Sequence, residues 1–193
     1  MPARHWLRGG REYGSEEPVA IDVRKLGASS TPLEEIFVRK RALALWQEGQ
    51  RLQLEGDLEE AILLYTRSIA VCPTAEAHTF LGWAYSFKNR LDDAIDECKK
   101  AIDVDPSFGN PYNDIGSYLI AQGKGDEAVE WLEKAKAAPR YEARHFPYMN
   151  LGRLFAGRGL TDRAIDEFEQ ALQLCPAEAT CVAALAYLRR RIN

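Results

Sequence analysis

Residues 80–106 read FLGWAYSFKNRLDDAIDECKKAIDVDP, and this stretch carries the marks of two consecutive helices. Apolar and small residues recur at intervals of three, four and seven positions on both sides of Asn89, which is the spacing of helices with one buried face. Asn89 interrupts the pattern, and asparagine or glycine readily adopts the left-handed conformation that ends a helix. The stretch therefore predicts a helical hairpin that ends at Pro106.

The same pattern recurs along the chain at intervals of 33, 34 and 36 residues. Each copy has an alanine, a glycine twelve residues before it and a small residue seven residues after it. The alanines are Ala61, Ala94, Ala128 and Ala164, and the glycines are Gly49, Gly82, Gly116 and Gly152. Since a single hairpin cannot bury its apolar face alone, the repeat predicts stacked hairpins that share one continuous core.

The order of aromatic, Leu-Gly, aromatic, alanine and proline positions in a unit of about 34 residues resembles the tetratricopeptide repeat. The resemblance covers roughly residues 43–176, and its clearest copies are 78–106 and 148–176. It implies an all-α fold, a right-handed superhelical solenoid of four antiparallel helix pairs with a C-terminal capping helix. It also implies that the first helix of each pair lines a concave groove.

The sequence divides into a leader, the repeats and a cap. Residues 1–30 are rich in glycine, serine and charged residues, so we expect them to be mostly disordered. The four repeats cover residues 31–176 with approximate bounds 31–74, 75–108, 109–142 and 143–176, and residues 177–193 form the capping helix. The leader has an alternative interpretation, because residues 18–26 alternate apolar and polar side chains as an extended strand does. In that alternative, the leader docks on its own solenoid.

Local signals mark several helix ends and one irregular repeat. Thr31-Pro32-Leu33-Glu34 is typical of a helix start, and the first helix is expected to run to Glu55. Thr161 is expected to cap the second helix of the fourth repeat. The third repeat has Gly125 where the other copies have larger residues, and two extra residues fall near 141–146. We therefore expect a longer loop there, and the weakest helix pair.

Composition and motifs argue against several classes of protein. The chain has 193 residues, 28% of them charged, and its net charge of −4 argues against the basic face that is typical of nucleic-acid binding. The basic patch Arg39, Lys40 and Arg41 is expected to be a solvated face. No apolar run reaches the roughly 20 residues of a membrane span, and the first residues do not form a secretory signal, so a cytoplasmic location is expected.

The residue types that carry catalysis are scattered or follow the repeat. The three histidines lack metal-ligand spacing, and the four cysteines follow the repeat as reduced structural thiols. Acidic residues such as Asp92, Asp93, Asp96 and Glu97 are expected on the outer face of a second helix, where lysines neighbour them. We predict no catalytic residue, no metal site and no cofactor.

The first helices offer a candidate peptide site. Their side chains that face away from the partner helix combine aromatic rings, amides and one arginine, which is typical of peptide recognition. The predicted groove residues are Trp46, Gln50, Thr79, Trp83, Phe87, Asn110, Asn113, Ser117, Phe146, Met149 and Arg153. An alternative is that Trp46 is covered and belongs to the core.

Some members of the family hold a carboxylate terminus in a clamp of lysines, asparagines and an arginine. The matching positions here are Trp46, Gln50, Phe80, Asn110 and Asp114, so the clamp is not present. The sequence instead favours a peptide that offers both apolar side chains and hydrogen bonds.

These observations predict a non-enzymatic adaptor or scaffold that binds a protein or peptide client in a concave groove. One alternative is a self-associating assembly scaffold, a homo-oligomer built through the long first helix or through residues 181–188 of the cap. Another is an accessory subunit of an enzyme complex, whose acidic outer helices dock on a catalytic partner.

Overall fold

A computed structural model of the protein describes residues 31–192, with side chains described to residue 190. Within that range the chain forms nine helices, and its one β-type contact is an isolated bridge between Phe108 and Arg140. The helices are α1 (Pro32–Glu55), α2 (Leu58–Val71), α3 (Ala75–Phe87), α4 (Leu91–Val104), α5 (Asn110–Ala121), α6 (Gly125–Ala137), α7 (His145–Gly157), α8 (Thr161–Leu174) and α9 (Ala179–Ile192). The predicted leader, residues 1–30, and its predicted docking lie outside the described residues.

The helices pack as four consecutive antiparallel pairs, α1–α2, α3–α4, α5–α6 and α7–α8, and α9 packs on α8. Each second helix contacts the first helix of the next pair, so that the pairs stack. The predicted all-α solenoid with a C-terminal capping helix is confirmed. The proposed repeat bounds at 108/109, 142/143 and 176/177 fall in connections between helices, and the bound at 74/75 coincides with the start of α3.

Glycine and alanine let the two helices of a pair lie close together. A Cβ atom on Gly82 would lie 2.9 Å from the backbone oxygen of Ala94, and one on Gly152 would lie 2.8 Å from the Phe168 ring. The repeat alanines are fully buried in all four copies. The small residues of the repeat therefore mark the closest approach of the two helices, as the spacing predicts.

The turns within the pairs follow the predicted left-handed geometry. Gly56, Asn89, Gly123 and Gly159 have φ angles of 92°, 59°, 78° and 73°. Each of these residues ends the first helix of its pair and lets the chain reverse.

Two helix starts show where local signals succeed and fail. Thr31 forms a capping box with Glu34, and α1 runs from Pro32 to Glu55 as predicted. The prediction for Thr161 is wrong, because it is already the first helical residue of α8 and the cap position belongs to Leu160. Only one residue separates the left-handed Gly159 from the helix, which leaves no room for Thr161 to act as the cap.

The long connection between α6 and α7 is anchored on the second pair. The Arg140 N–H donates to the Ser107 carbonyl (3.0 Å), and the Gly109 N–H donates to the Arg140 carbonyl (2.9 Å). The Arg140 guanidinium donates to Asp105 (2.7 Å) and to Glu76 (2.8 Å) and lies over the Phe108 ring. The two carboxylates therefore join this loop to α3 and to the end of α4.

We predict that Arg140→Met lowers the free energy of unfolding by about 1–3 kcal/mol, because it leaves two half-buried carboxylates without their shared donor. The matched control is Arg51→Met, whose partners Glu48 and Glu55 are exposed on the same helix. That change should cost less than about 1 kcal/mol. Urea denaturation measures both variants. Equal losses in the two would contradict an anchoring role for Arg140.

Candidate functional site

The first helices of successive pairs, α1, α3, α5 and α7, also contact one another. This row of helices forms the inner face of the solenoid. The residue that follows each repeat glycine is turned about 100° away from the partner helix, which places it on this face. These residues are Gln50, Trp83, Ser117 and Arg153, and all four belong to the predicted groove set. The first three are half-buried and Arg153 is exposed.

Eight of the eleven predicted groove residues remain accessible in the structure. Besides the four that follow the repeat glycines, Trp46, Phe87, Asn110 and Phe146 are half-buried. We call these eight residues the inner groove. Their contact with a ligand remains a prediction.

The other three predicted residues lie in the interior. Thr79 is 5% exposed, and Asn113 and Met149 are each 1% exposed. All three stand three residues before a repeat glycine, where the side chain turns toward neighbouring helices. Thr79 donates its hydroxyl to the Ala75 carbonyl (2.7 Å), and Met149 packs in the core of the last pairs. The prediction that these three side chains face an open groove is corrected.

Aromatic rings form the wall of the groove on α1 and α3. Ring centroids of Trp46 and Phe80 lie 5.3 Å apart, those of Phe80 and Trp83 lie 5.6 Å apart, and those of Trp83 and Phe87 lie 5.7 Å apart. These separations are those of edge-to-face and tilted aromatic pairs, which hold one another in place. Phe80 was not predicted as a groove residue, although it stands two residues before the repeat glycine Gly82.

Trp46 lies within this wall and is not simply core. Its side chain is half-buried, and its indole N–H is buried without an acceptor among the described residues.

Polar side chains continue the row on α5 and α7. Asn150 Nδ2 donates to Asn113 Oδ1 (3.0 Å), and Asn113 Nδ2 donates to Asp114 Oδ1 (3.3 Å). Arg153 donates to Asn150 Oδ1 at 3.5 Å, which is a weak contact. Asn113 therefore acts from the interior by positioning its two neighbours. Asn150 was missed in the sequence, although it follows Asp114 by 36 residues and so occupies the same place in the repeat.

Asp114 is the carboxyl group within this row. Its burial raises the pKa to about 7, and the hydrogen bond from Asn113 acts in the opposite direction. Near neutral pH, this carboxyl group therefore exchanges between a neutral form that can donate a hydrogen bond and an anion that only accepts.

A buried contact between His78 and Glu97 joins α3 to α4 away from the groove. His78 Nδ1 lies 2.7 Å from Glu97 Oε2, and Lys100 donates to Glu97 Oε1 (2.6 Å). Burial acts to raise the pKa of Glu97, but the hydrogen bonds from His78 and Lys100 outweigh it and lower the pKa. The prediction that Glu97 lies on the solvated outer face is wrong, since it is 8% exposed and holds His78. His78 and Glu97 are 19 residues apart in the chain, so helix periodicity alone did not reveal this contact.

The remaining reactive groups fit a structural role. All four cysteines are free thiols, and burial raises the pKa of Cys98 well above its usual value and that of Cys181 to about 11. Among the described residues, no group of three or more His, Cys, Asp or Glu side chains is placed to hold a metal ion. No described helix is both long enough and apolar enough to cross a membrane.

Family models described as tetratricopeptide repeat match residues 75–108, 112–138 and 147–178. The chain is 33% identical over 104 residues to the small glutamine-rich tetratricopeptide repeat-containing protein 2 of Saccharomyces cerevisiae, a match that covers 53% of this chain and 30% of that protein. It is 32% identical over 114 residues to sperm-associated antigen 1 of Mus musculus, covering 59% and 12%. The chain thus spans less than a third of the length of these relatives.

Solved structures share the fold. The structure of Pseudomonas aeruginosa pilF matches with a TM-score of 0.75 and 23% identity, covering 80% of this chain and 70% of that one. YrrB, described as a TPR protein with an unusual peptide-binding site, matches with a TM-score of 0.59 and 20% identity, covering 82% of each chain. At these identities, the likeness concerns the arrangement of helices alone.

Proposed function

Because this chain belongs to the tetratricopeptide repeat family, whose members act as protein-interaction scaffolds, we propose that it is a non-enzymatic adaptor. It binds an extended segment of a client protein in the inner groove. The observation that carries this proposal is the continuous row of side chains across four first helices, with rings on α1 and α3 and hydrogen-bonding groups on α5 and α7.

The size of the row fits a short peptide. Packed helices lie roughly 8–10 Å apart, so four first helices span about 25–30 Å. An extended chain rises about 3.3 Å per residue, which allows about eight residues to lie along the groove. A rigid groove on stacked helices also lowers the ordering cost of binding, because the protein side is already formed.

The two halves of the groove suit different parts of the client. Rings of Trp83 and Phe87 offer area to apolar side chains, while Ser117, Asn150 and Asn110 can bond the client backbone. Arg153 is exposed at the C-terminal end and suits a carbonyl or carboxylate group. The YrrB structure, which has the same arrangement of helices, is described as a TPR protein with an unusual peptide-binding site, so this arrangement of helices can hold a peptide. No metal or cofactor takes part in this mode of binding.

A protein client is favoured over nucleic acid because the chain carries a net charge of −4. We also propose a cytoplasmic location. It is supported by four cysteines that all remain free thiols, the usual state in a reducing compartment.

The test begins with peptides selected on the immobilised full chain from a random display library. Their affinities are then measured by fluorescence polarisation for the wild type, for Trp83→Ala and for the matched control Trp131→Ala. Both tryptophans are half-buried, but Trp131 lies on the second helix α6. We expect at least a tenfold weaker affinity for Trp83→Ala, as for an aromatic anchor, and a change below about twofold for Trp131→Ala. Equal losses would contradict the proposed groove.

A further inference from the structure

The first helix is much longer than its partner. α1 has 24 residues and α2 has 14, which correspond to lengths of about 36 Å and about 21 Å. The Ser68 hydroxyl donates to the Ala42 carbonyl (2.8 Å), which fixes the relative position of the two helices. Since α2 ends at Val71, three residues after Ser68, the first two turns of α1 project beyond it.

The face of α1 opposite to α2 carries a second apolar pattern. Ala42 and Gly49 are the buried residues of the helix. On the other side, residues recur with alternating spacings of three and four, the heptad spacing of a coiled coil. We call this set the α1 seam, and it consists of Leu33, Ile36, Lys40, Leu43, Gln47, Gln50 and Leu54.

The apolar members of the α1 seam are exposed. Leu33 is 68% exposed, Ile36 48%, Leu43 37% and Leu54 70%, and the neighbouring Phe37 is 70% exposed. Five large apolar side chains in one stripe are unusual for the surface of a monomer, where single exposed apolar residues are the rule. A helix that is apolar on both faces normally packs on both.

We propose that α1 pairs with α1 of a second copy of this chain as an antiparallel two-helix coiled coil. The order of residues along the α1 seam favours this occupant. In the antiparallel arrangement, Ile36 of one copy lies beside Leu54 of the other, and Lys40 lies beside Gln50. Ile36 and Leu54 then meet at both ends of the paired region, while Lys40 meets Gln50 and Leu43 meets Gln47 in its middle.

The parallel arrangement is disfavoured by charge. It places Lys40 of one copy against Lys40 of the other inside the seam, where like charges repel. The area is also sufficient. The five exposed apolar side chains offer roughly 500 Å² on each copy, so the pair buries roughly 1,000 Å² or more, the lower limit for a specific interface.

The oligomeric state of the full chain tests this proposal by sedimentation equilibrium from about 1 to 200 μM. The wild type should dimerise, and Ile36→Glu should raise the dissociation constant at least tenfold. The matched control is Leu63→Glu on α2, since Leu63 is also 48% exposed but lies outside the seam. It should leave the dimer unchanged. Circular dichroism checks that all variants are folded.

A mixing experiment tests the antiparallel arrangement. Leu54→Lys alone should also be monomeric, whereas an equimolar mixture of Ile36→Glu and Leu54→Lys chains should form a heterodimer, because the new charges then face each other. A monomeric wild type, a dimer that tolerates Ile36→Glu, or a mixture that stays monomeric would overturn the proposal. A dimer that forms only after removal of residues 1–30 would show that the leader covers the α1 seam in the full chain. That result would overturn the proposal as well.

This pairing goes beyond the proposed function. The α1 seam and the inner groove share Gln50 alone, so a change at Ile36 separates the two. Ile36 is not part of the inner groove. Ile36→Glu should therefore bind the selected peptides with wild-type affinity per chain even when it is monomeric.

Discussion

Replacing Gly82 with valine lowers the free energy of unfolding by about 3 kcal/mol or more, as measured by urea denaturation. A Cβ at this position would lie 2.9 Å from the Ala94 carbonyl oxygen and 3.3 Å from the Cys98 sulfur. The carbonyl belongs to the backbone of α4, so it can yield only if the whole helix moves. Overpacking of this kind typically costs about 1–3 kcal/mol, and a backbone contact places Gly82 at the upper end or beyond.

The matched control for Gly82→Val is Gly157→Val. Gly157 is helical and exposed, and a Cβ there meets nothing within 4 Å. Because valine has a higher helix propensity than glycine, this variant should keep or slightly raise the stability. If both variants lost the same stability, the close approach of α3 and α4 at Gly82 would not explain the loss.

Replacing Asp114 with asparagine stabilises the protein at neutral and alkaline pH. The pKa of Asp114 is raised by burial from 3.8 to about 7, so the folded state binds a proton that the unfolded state has released. Stability of the wild type therefore falls as the pH rises from about 4 to about 7, and this loss corresponds to at most about 4 kcal/mol. Asparagine keeps the side-chain oxygen that accepts the hydrogen bond from Asn113, but it carries no charge.

Urea denaturation of both proteins at several pH values measures this effect. The stability difference should be near zero below about pH 4, grow through pH 7 and stay constant above about pH 8. The control is Asp103→Asn, an exposed aspartate on α4, which should not change the pH dependence. The free energies of unfolding of the wild type and of Asp114→Asn could instead change in parallel with pH. That result would show that Asp114 ionises in the folded protein near its ordinary pKa.

Features of the fold that depend on neighbours in the sequence could be predicted. The left-handed turns at Gly56 and Asn89 and the close approach at Gly82 each follow from one residue and its place in the repeat. Contacts between distant parts of the chain could not. Arg140 reaches Asp105 and Glu76, which are 35 and 64 residues away, and nothing in the periodicity of the third repeat indicates these partners.

The candidate site shows the same limit. A helical wheel separates the side that faces the partner helix from the rest, but it does not show how the next pair is rotated. Asn113 and Met149 therefore looked accessible, whereas the neighbouring first helices bury them. Asn150 and Phe80 could have been predicted as groove residues, because both stand two residues before a repeat glycine.

The most direct test of the central claim is the position at which a bound peptide touches the chain. A photo-crosslinking amino acid is placed at Ser117, which faces the inner groove, or at the exposed Thr66 on α2, and each chain is irradiated with a selected peptide. Binding in the inner groove predicts a covalent adduct at position 117 and none at position 66. An adduct at position 66 without one at position 117 would contradict the account.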